Sequence, residues 1–126
     1  MGGRANKHSK DIVYLYVIDS SDSVRHLNEI YDMLELNEFL SVLAVHNERD
    51  LDKKILFMAL DDVIKDLPKI IDYNVMECNT QVPRLLVSAL RAFMQDKKID
   101  GIMISEKFKE VAEKLSESLE IPLMTY

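Results

Sequence analysis

Past residue 10, apolar residues come in two alternating kinds of block. Dense runs rich in β-branched and aromatic side chains are followed by stretches in which apolar residues recur every third or fourth position. The first run, DIVYLYVID at 11–19, has the composition of a strand buried on both faces and ends on a carboxylate. Any of Ser20, Ser21, Asp22 and Ser23 can then cap a helix, and Val24, Leu27, Ile30, Tyr31 and Leu34 follow at helical spacing. FLSVLAVH at 39–46 repeats the strand pattern.

The stretch 51–72 is ambiguous, because KKILFMALDD also has strand-like composition. The spacing of Leu56, Leu60, Val63, Leu67 and Ile70 predicts one helix over 51–72, kinked or broken at Pro68, which lacks a backbone donor. A short strand at 74–78 follows. Pro83 suits the first turn of the next helix, with Leu85, Leu86, Ala89, Leu90 and Phe93 as its buried face. IDGIMI at 99–104 reads as an interior strand. Ser105 is expected to cap the last helix, with Glu106 in its first turn and Phe108, Val111, Ala112, Leu115 and Leu119 as its stripe. A strand at 121–126 closes the chain, with Pro122 near its start.

Five strands alternating with helices predict an α/β fold: a single-domain three-layer sandwich around a five-stranded parallel sheet, Rossmann-like in architecture. The polar, basic stretch 1–10 predicts a flexible tail, leaving 11–126 as the domain. In such sheets ligands bind outside the carboxyl ends of the strands, where the strand order reverses. The candidate ligand-binding residues are therefore Asp19, Ser20, His46, Thr80 and Ser105.

Composition narrows the function. The 126 residues, 48% hydrophobic and 30% charged, suit one folded domain. Twenty-two acids against sixteen bases leave a net charge of -6, which repels polyphosphate, so no nucleic-acid partner is expected. No apolar run approaches the ~20 residues of a membrane span. The start of the chain lacks a secretory pattern, and Gly2 is followed by Asn6 where myristoylation wants Ser or Thr, so the expected location is cytoplasmic. One cysteine and three scattered histidines predict neither a disulfide nor a metal site. Beyond Gly2 and Gly3 the only glycine is Gly101, which excludes phosphate-binding loops, dinucleotide fingerprints and nucleophile elbows.

Two constellations carry possible chemistry. Cys78 and Arg84 have the Cys-x5-Arg spacing of cysteine phosphatases and arsenate reductases, in which a helix N-terminus lowers the thiol pKa and Arg clamps an oxyanion. Pro83 and the absence of glycine between them weigh for a buried structural cysteine instead. Asp19 and Asp22 are oxygen ligands of the kind that seats Mg²⁺, but helix capping explains Asp22 without an ion. His46, a lone histidine ending a strand, is read as a base, a ligand contact or an internally satisfied group.

The order of these pieces resembles the universal stress protein family from Asp11 to Tyr126. VIDSSDS at 17–23 is similar to its strand ending in Asp before a serine-bearing turn, and SVLAVH at 41–46 to its second strand. Gln81-Val82-Pro83 stands where the family opens a helix with Gly-x-Pro, DGIMIS at 100–105 where it has its fourth strand, and IPLMTY at 121–126 where it has its closing strand. The resemblance implies a nucleotide-binding-type fold, Asp19 near an adenosine pocket, His46 near a second contact, and a homodimer through the C-terminal strand with Leu123 and Thr125 at the interface. ATP-binding members carry a glycine-rich loop after the fourth strand. Here Ser105 stands in place of glycine and the loop is missing, so ATP or another nucleotide is disfavoured as a cofactor. The expectation is a non-enzymatic dimeric domain acting through a small ligand or a protein partner, with a cysteine enzyme or a purely structural interaction module as alternatives.

Overall fold

The computed structural model describes residues 10–126; the tail expected over 1–10 lies, apart from Lys10, outside the described residues. Lys10 is exposed. The elements run β1 (Ile12–Ile18), α1 (Ser21–Met33), β2 (Glu38–His46), α2 (Leu51–Ala59), α3 (Asp61–Ile64), β3 (Ile70–Glu77), α4 (Pro83–Met94), β4 (Gly101–Ile104) and β5 (Leu123–Thr125). A single 3₁₀ turn (Glu106–Phe108) leads into α5 (Lys109–Leu119), which precedes β5.

All five strands are parallel, in the order β3-β2-β1-β4-β5. Side chains of a strand alternate between faces, and the sheet accordingly has two cores. On one face Tyr16, Ile18, Leu40, Val42 and Ala44 meet Leu27 of α1, Phe57 of α2 and Ile64 of α3. On the other, Leu15, Val17, Leu43, Val45, Ile102 and Ile104 meet Leu86, Leu90 and Met94 of α4 and Val111, Ala112 and Leu115 of α5. This is the expected three-layer sandwich. Each fully buried Leu or Ile contributes about 1.5–3 kcal/mol by leaving water.

The helix expected over 51–72 is not one helix. It stops at Ala59, α3 adds one turn, and Ile70 already begins β3, so the strand expected at 74–78 starts four residues earlier. Pro68 prevents continuation, and IIDYNVME after it has the β-branched and aromatic content of a strand. The buried face is also rotated by one position. Phe57 and Ile64 are buried while Leu56 and Val63, which belonged to the expected stripe, are 38% and 59% exposed.

Of the other expected buried faces, Leu85 is 45% and Leu119 38% exposed. Pro83 occupies the first turn of α4. Gly101 serves packing: a Cβ there would lie 2.8 Å from Tyr14 Cδ1, so only glycine lets the Tyr14 ring lie against β4. At the end of α5, Glu120 takes the left-handed conformation (φ 55°) that closes the helix. The two sheet edges are unequal, with three residues in β5 and eight in β3.

Candidate functional site

The strand order reverses at β1, which has β2 on one side and β4 on the other. The crevice outside the carboxyl ends of β1 and β4 is therefore where a ligand of such a sheet binds. Asp19 follows β1 directly and is only 3% exposed. Its Oδ1 accepts a hydrogen bond from Ser23 Oγ at 2.7 Å. Its Oδ2 is buried without a well-directed hydrogen bond and faces the ammonium of Lys107, whose Nζ is 2.5 Å away. The contact neutralises charge without completing the geometry of a hydrogen bond. Lys107 itself, in the turn after β4, is 56% exposed along its side chain, so the lid over this carboxylate is solvated.

The serines around Asp19 order the start of α1. Ser20, in extended conformation, is the N-cap, and its Oγ accepts from the Ser23 N–H at 3.3 Å. Capping was expected from Asp22. Asp22 instead lies inside the helix's first turn and forms an exposed ion pair with Arg25. Tyr16 reaches the same turn from below, donating its hydroxyl to the Ser23 carbonyl at 2.6 Å. The Tyr126 ring stacks on Tyr16 with centroids 5.2 Å apart, and its hydroxyl donates to the Val17 carbonyl. Burial pushes the pKa of both phenols up, so they are neutral donors at physiological pH.

Beside these groups lies a recess of ≈ 200 Å³ lined by Ser20, Asp22, Ser23, His26, Ser105, Lys107 and Tyr126. A second recess of ≈ 530 Å³ shares Lys107 and extends past Thr80, Gln81 and Pro83 toward the start of α5. Ser105 makes no side-chain cap, contrary to expectation. Its carbonyl accepts from the Phe108 N–H to close the 3₁₀ turn, so the helix proper starts at Lys109 and Glu106 lies outside its first turn. Ser105 is also the single residue between β4 and that turn.

The remaining candidates lie at the ends of β2 and β3. His46 is 4% exposed, with Nδ1 2.9 Å from the Asn47 carbonyl oxygen. Thr80 donates both its N–H (2.8 Å) and its hydroxyl (3.2 Å) to Asn47 Oδ1, tying the two loops together. Cys78 is half-buried and packs against the second core; burial pushes its thiol pKa up, opposing the thiolate a nucleophile needs. It borders a recess of ≈ 420 Å³ lined by Asn47, Glu48, Arg49, Glu77, Asn79 and Gln81. Arg84 is exposed on the first turn of α4 and does not line that recess.

Thus Ser20 and Ser105 line one recess with Asp19 buried beside it under Lys107, Thr80 lines the recess that shares Lys107, and His46 is buried at the end of β2. Sequence reasoning missed Lys107 and Tyr126. The available signal was position, since both lie within three residues of the carboxyl end of a strand. Among the described residues no group of three or more His, Cys, Asp or Glu side chains is placed to hold a metal ion, and no helix is long and apolar enough to cross a membrane. Comparison with known proteins gives no match to a family model, a curated protein or a solved structure.

Proposed function

We propose that this chain is a non-enzymatic, universal-stress-protein-like domain that binds a small polar ligand in the crevice between β1 and β4, with Asp19 as the anchoring group. One observation carries the reading: a carboxylate at the reversal point of the sheet is 3% exposed, yet one of its oxygens has only a solvated lysine for a partner. A buried charge with an incomplete shell is costly to a fold that has no use for it. A ligand bearing an N–H or O–H donor completes the shell of Oδ2 as Lys107 swings into solvent. Ser20, Ser105 and Tyr126 line the space such a ligand occupies. Residue order from Asp11 to Tyr126 supports the family likeness, and the one-residue link at Ser105 speaks against the family's phosphate loop. The raised pKa of Cys78 favours a role outside catalysis.

The test is a thermal-shift series with adenosine, AMP, ATP and cyclic dinucleotides, with and without Mg²⁺, on the natural chain and on Asp19→Asn. A ligand at a hundred times its Kd stabilises by about 2.7 kcal/mol, a rise on the order of 10 °C for a domain of this size. The expected result is a rise with at least one nucleoside-containing compound that Asp19→Asn abolishes. A flat response across the panel moves the reading to an interaction module whose crevice is filled by its own side chains.

A further inference from the structure

The two edges of the sheet differ in how well they are guarded against pairing. Edge strands expose a row of unpaired N–H and C=O groups, and proteins blunt them by shortening, by proline or by bulges. β5 has three residues and follows Pro122. β3 has eight and contains no proline or glycine. Its one irregularity is the register shift against β2 between Leu40 and Ser41, which leaves Ile71 out of the ladder and 53% exposed. From Asp72 to Glu77 the pairing with β2 is regular. Further apolar side chains are bare on the helices over this side of the sheet: Ile55 (68% exposed), Met58 (58%) and Val63 (59%).

We propose that two copies of this chain pair antiparallel along β3, about a two-fold axis at Asn74, so that two five-stranded sheets become one continuous sheet. Backbone geometry restricts the register. The Cys78 N–H bonds to the His46 carbonyl of β2, and in an extended strand alternate residues turn their polar groups to opposite sides. Asp72, Asn74 and Met76 therefore bond toward β2, while Tyr73, Val75 and Glu77 present N–H and C=O to the open edge. Only registers pairing odd positions with odd positions satisfy both copies. With the axis at Asn74, Tyr73 exchanges two hydrogen bonds with Val75 of the second copy, and Val75 with its Tyr73. Each is an aromatic against a β-branched residue, one of the cross-strand pairs that stabilise a sheet.

Charge agrees with this register. Asp72 then faces Met76 of the second copy and Glu77 faces Ile71, so no carboxylate stands opposite another despite a net charge of -6 per chain. A two-fold axis makes the interface self-complementary, which a strand that is its own best partner requires.

Sedimentation equilibrium of the full chain, from low micromolar to millimolar concentration, is the experiment. The expected mass is twice 14.6 kDa at the upper end. Val75→Pro removes an outward N–H that the chain's own ladder does not use, and is expected to give the single-chain mass with an unchanged circular dichroism spectrum. Asn74→Asp changes an exposed side chain and sets two carboxylates face to face at the axis. It is expected to weaken association roughly fivefold at low salt and less at high salt. The proposal is overturned if the natural chain stays at 14.6 kDa throughout. It is equally overturned if Asn74→Asp associates as the natural chain does, or if Thr125→Pro on β5 abolishes a dimer that Val75→Pro leaves intact.

Discussion

Two neighbouring crevices open at the carboxyl end of the same sheet, and they treat their polar groups in opposite ways. Between β2 and β3, Asn47 Oδ1 takes both donors of Thr80, and His46 turns a ring nitrogen to the adjacent backbone carbonyl. Asn47, Thr80 and His46 are there partnered within the chain. Between β1 and β4, Ser23 satisfies one oxygen of Asp19 and an exposed lysine merely faces the other. Polar groups that are fully partnered rigidify a fold, whereas an incompletely partnered buried charge is kept only where something else uses it. On the proposed reading, the contrast separates a crevice that is scaffold from one that binds, although both hold a buried polar side chain at a strand's end.

Substitutions test that contrast. The largest effect is expected at Ser23→Ala, which strips the best hydrogen bond from a buried carboxylate and loosens the start of α1. It should lower the urea-unfolding free energy by about 2–3 kcal/mol. Asn47→Ala releases two Thr80 donors that are only partly buried and should cost about 1–2 kcal/mol without changing any ligand response. Lys107→Ala should cost less than about 1 kcal/mol, because its side chain is more than half exposed, and raising the salt concentration should narrow the difference from the natural chain. A Lys107→Ala loss larger than that of Asn47→Ala would reverse the assignment of scaffold and site.

The smallest effect concerns pH. Tyr14 is pushed up to about 12 by burial and by its hydrogen bond to Glu38 at 2.8 Å. Its folded pKa exceeds the ordinary value of 10, so its contribution is complete below pH 10 and is lost as pH rises toward 12. Unfolding curves at pH 8, 10 and 11, taken as about these values, should show a shallower alkaline decline for Tyr14→Phe than for the natural chain.

How far the fold was legible follows from the same physics. Interior strands such as 12–18 and 39–46 announce themselves, because burial on both faces demands an unbroken apolar run. The stretch 51–72 misled because α2 carries Leu51, Ile55 and Met58 on a solvent-facing side, so the apolar spacing did not mark the buried side. Phe57, which does mark it, falls between two of the residues that set the false stripe. β3 is an edge strand with polar residues interleaved, and its first half resembles the end of a helix until Pro68 is given its full weight.

At the site, Asp19 and Ser20 were legible because a carboxylate and a capping serine after an apolar strand are local signals. Lys107 and Tyr126 were not. Their roles depend on which strands become neighbours, and the order β1-β4-β5 is a property of the sheet rather than of any window of sequence.

Gly101 shows what that adjacency asks of the chain during folding. Strands β1, β2 and β3 join as sequential neighbours through short crossovers, whereas β1 meets β4 only when Val13 and Asp100, 87 positions apart, come together. The bare backbone at Gly101 lets that late seam close flush over the Tyr14 ring. Because its two walls come from opposite sides of the seam, the crevice holding Asp19 and Lys107 exists only once β1 and β4 have joined, and its appearance reports that this long-range pairing has formed.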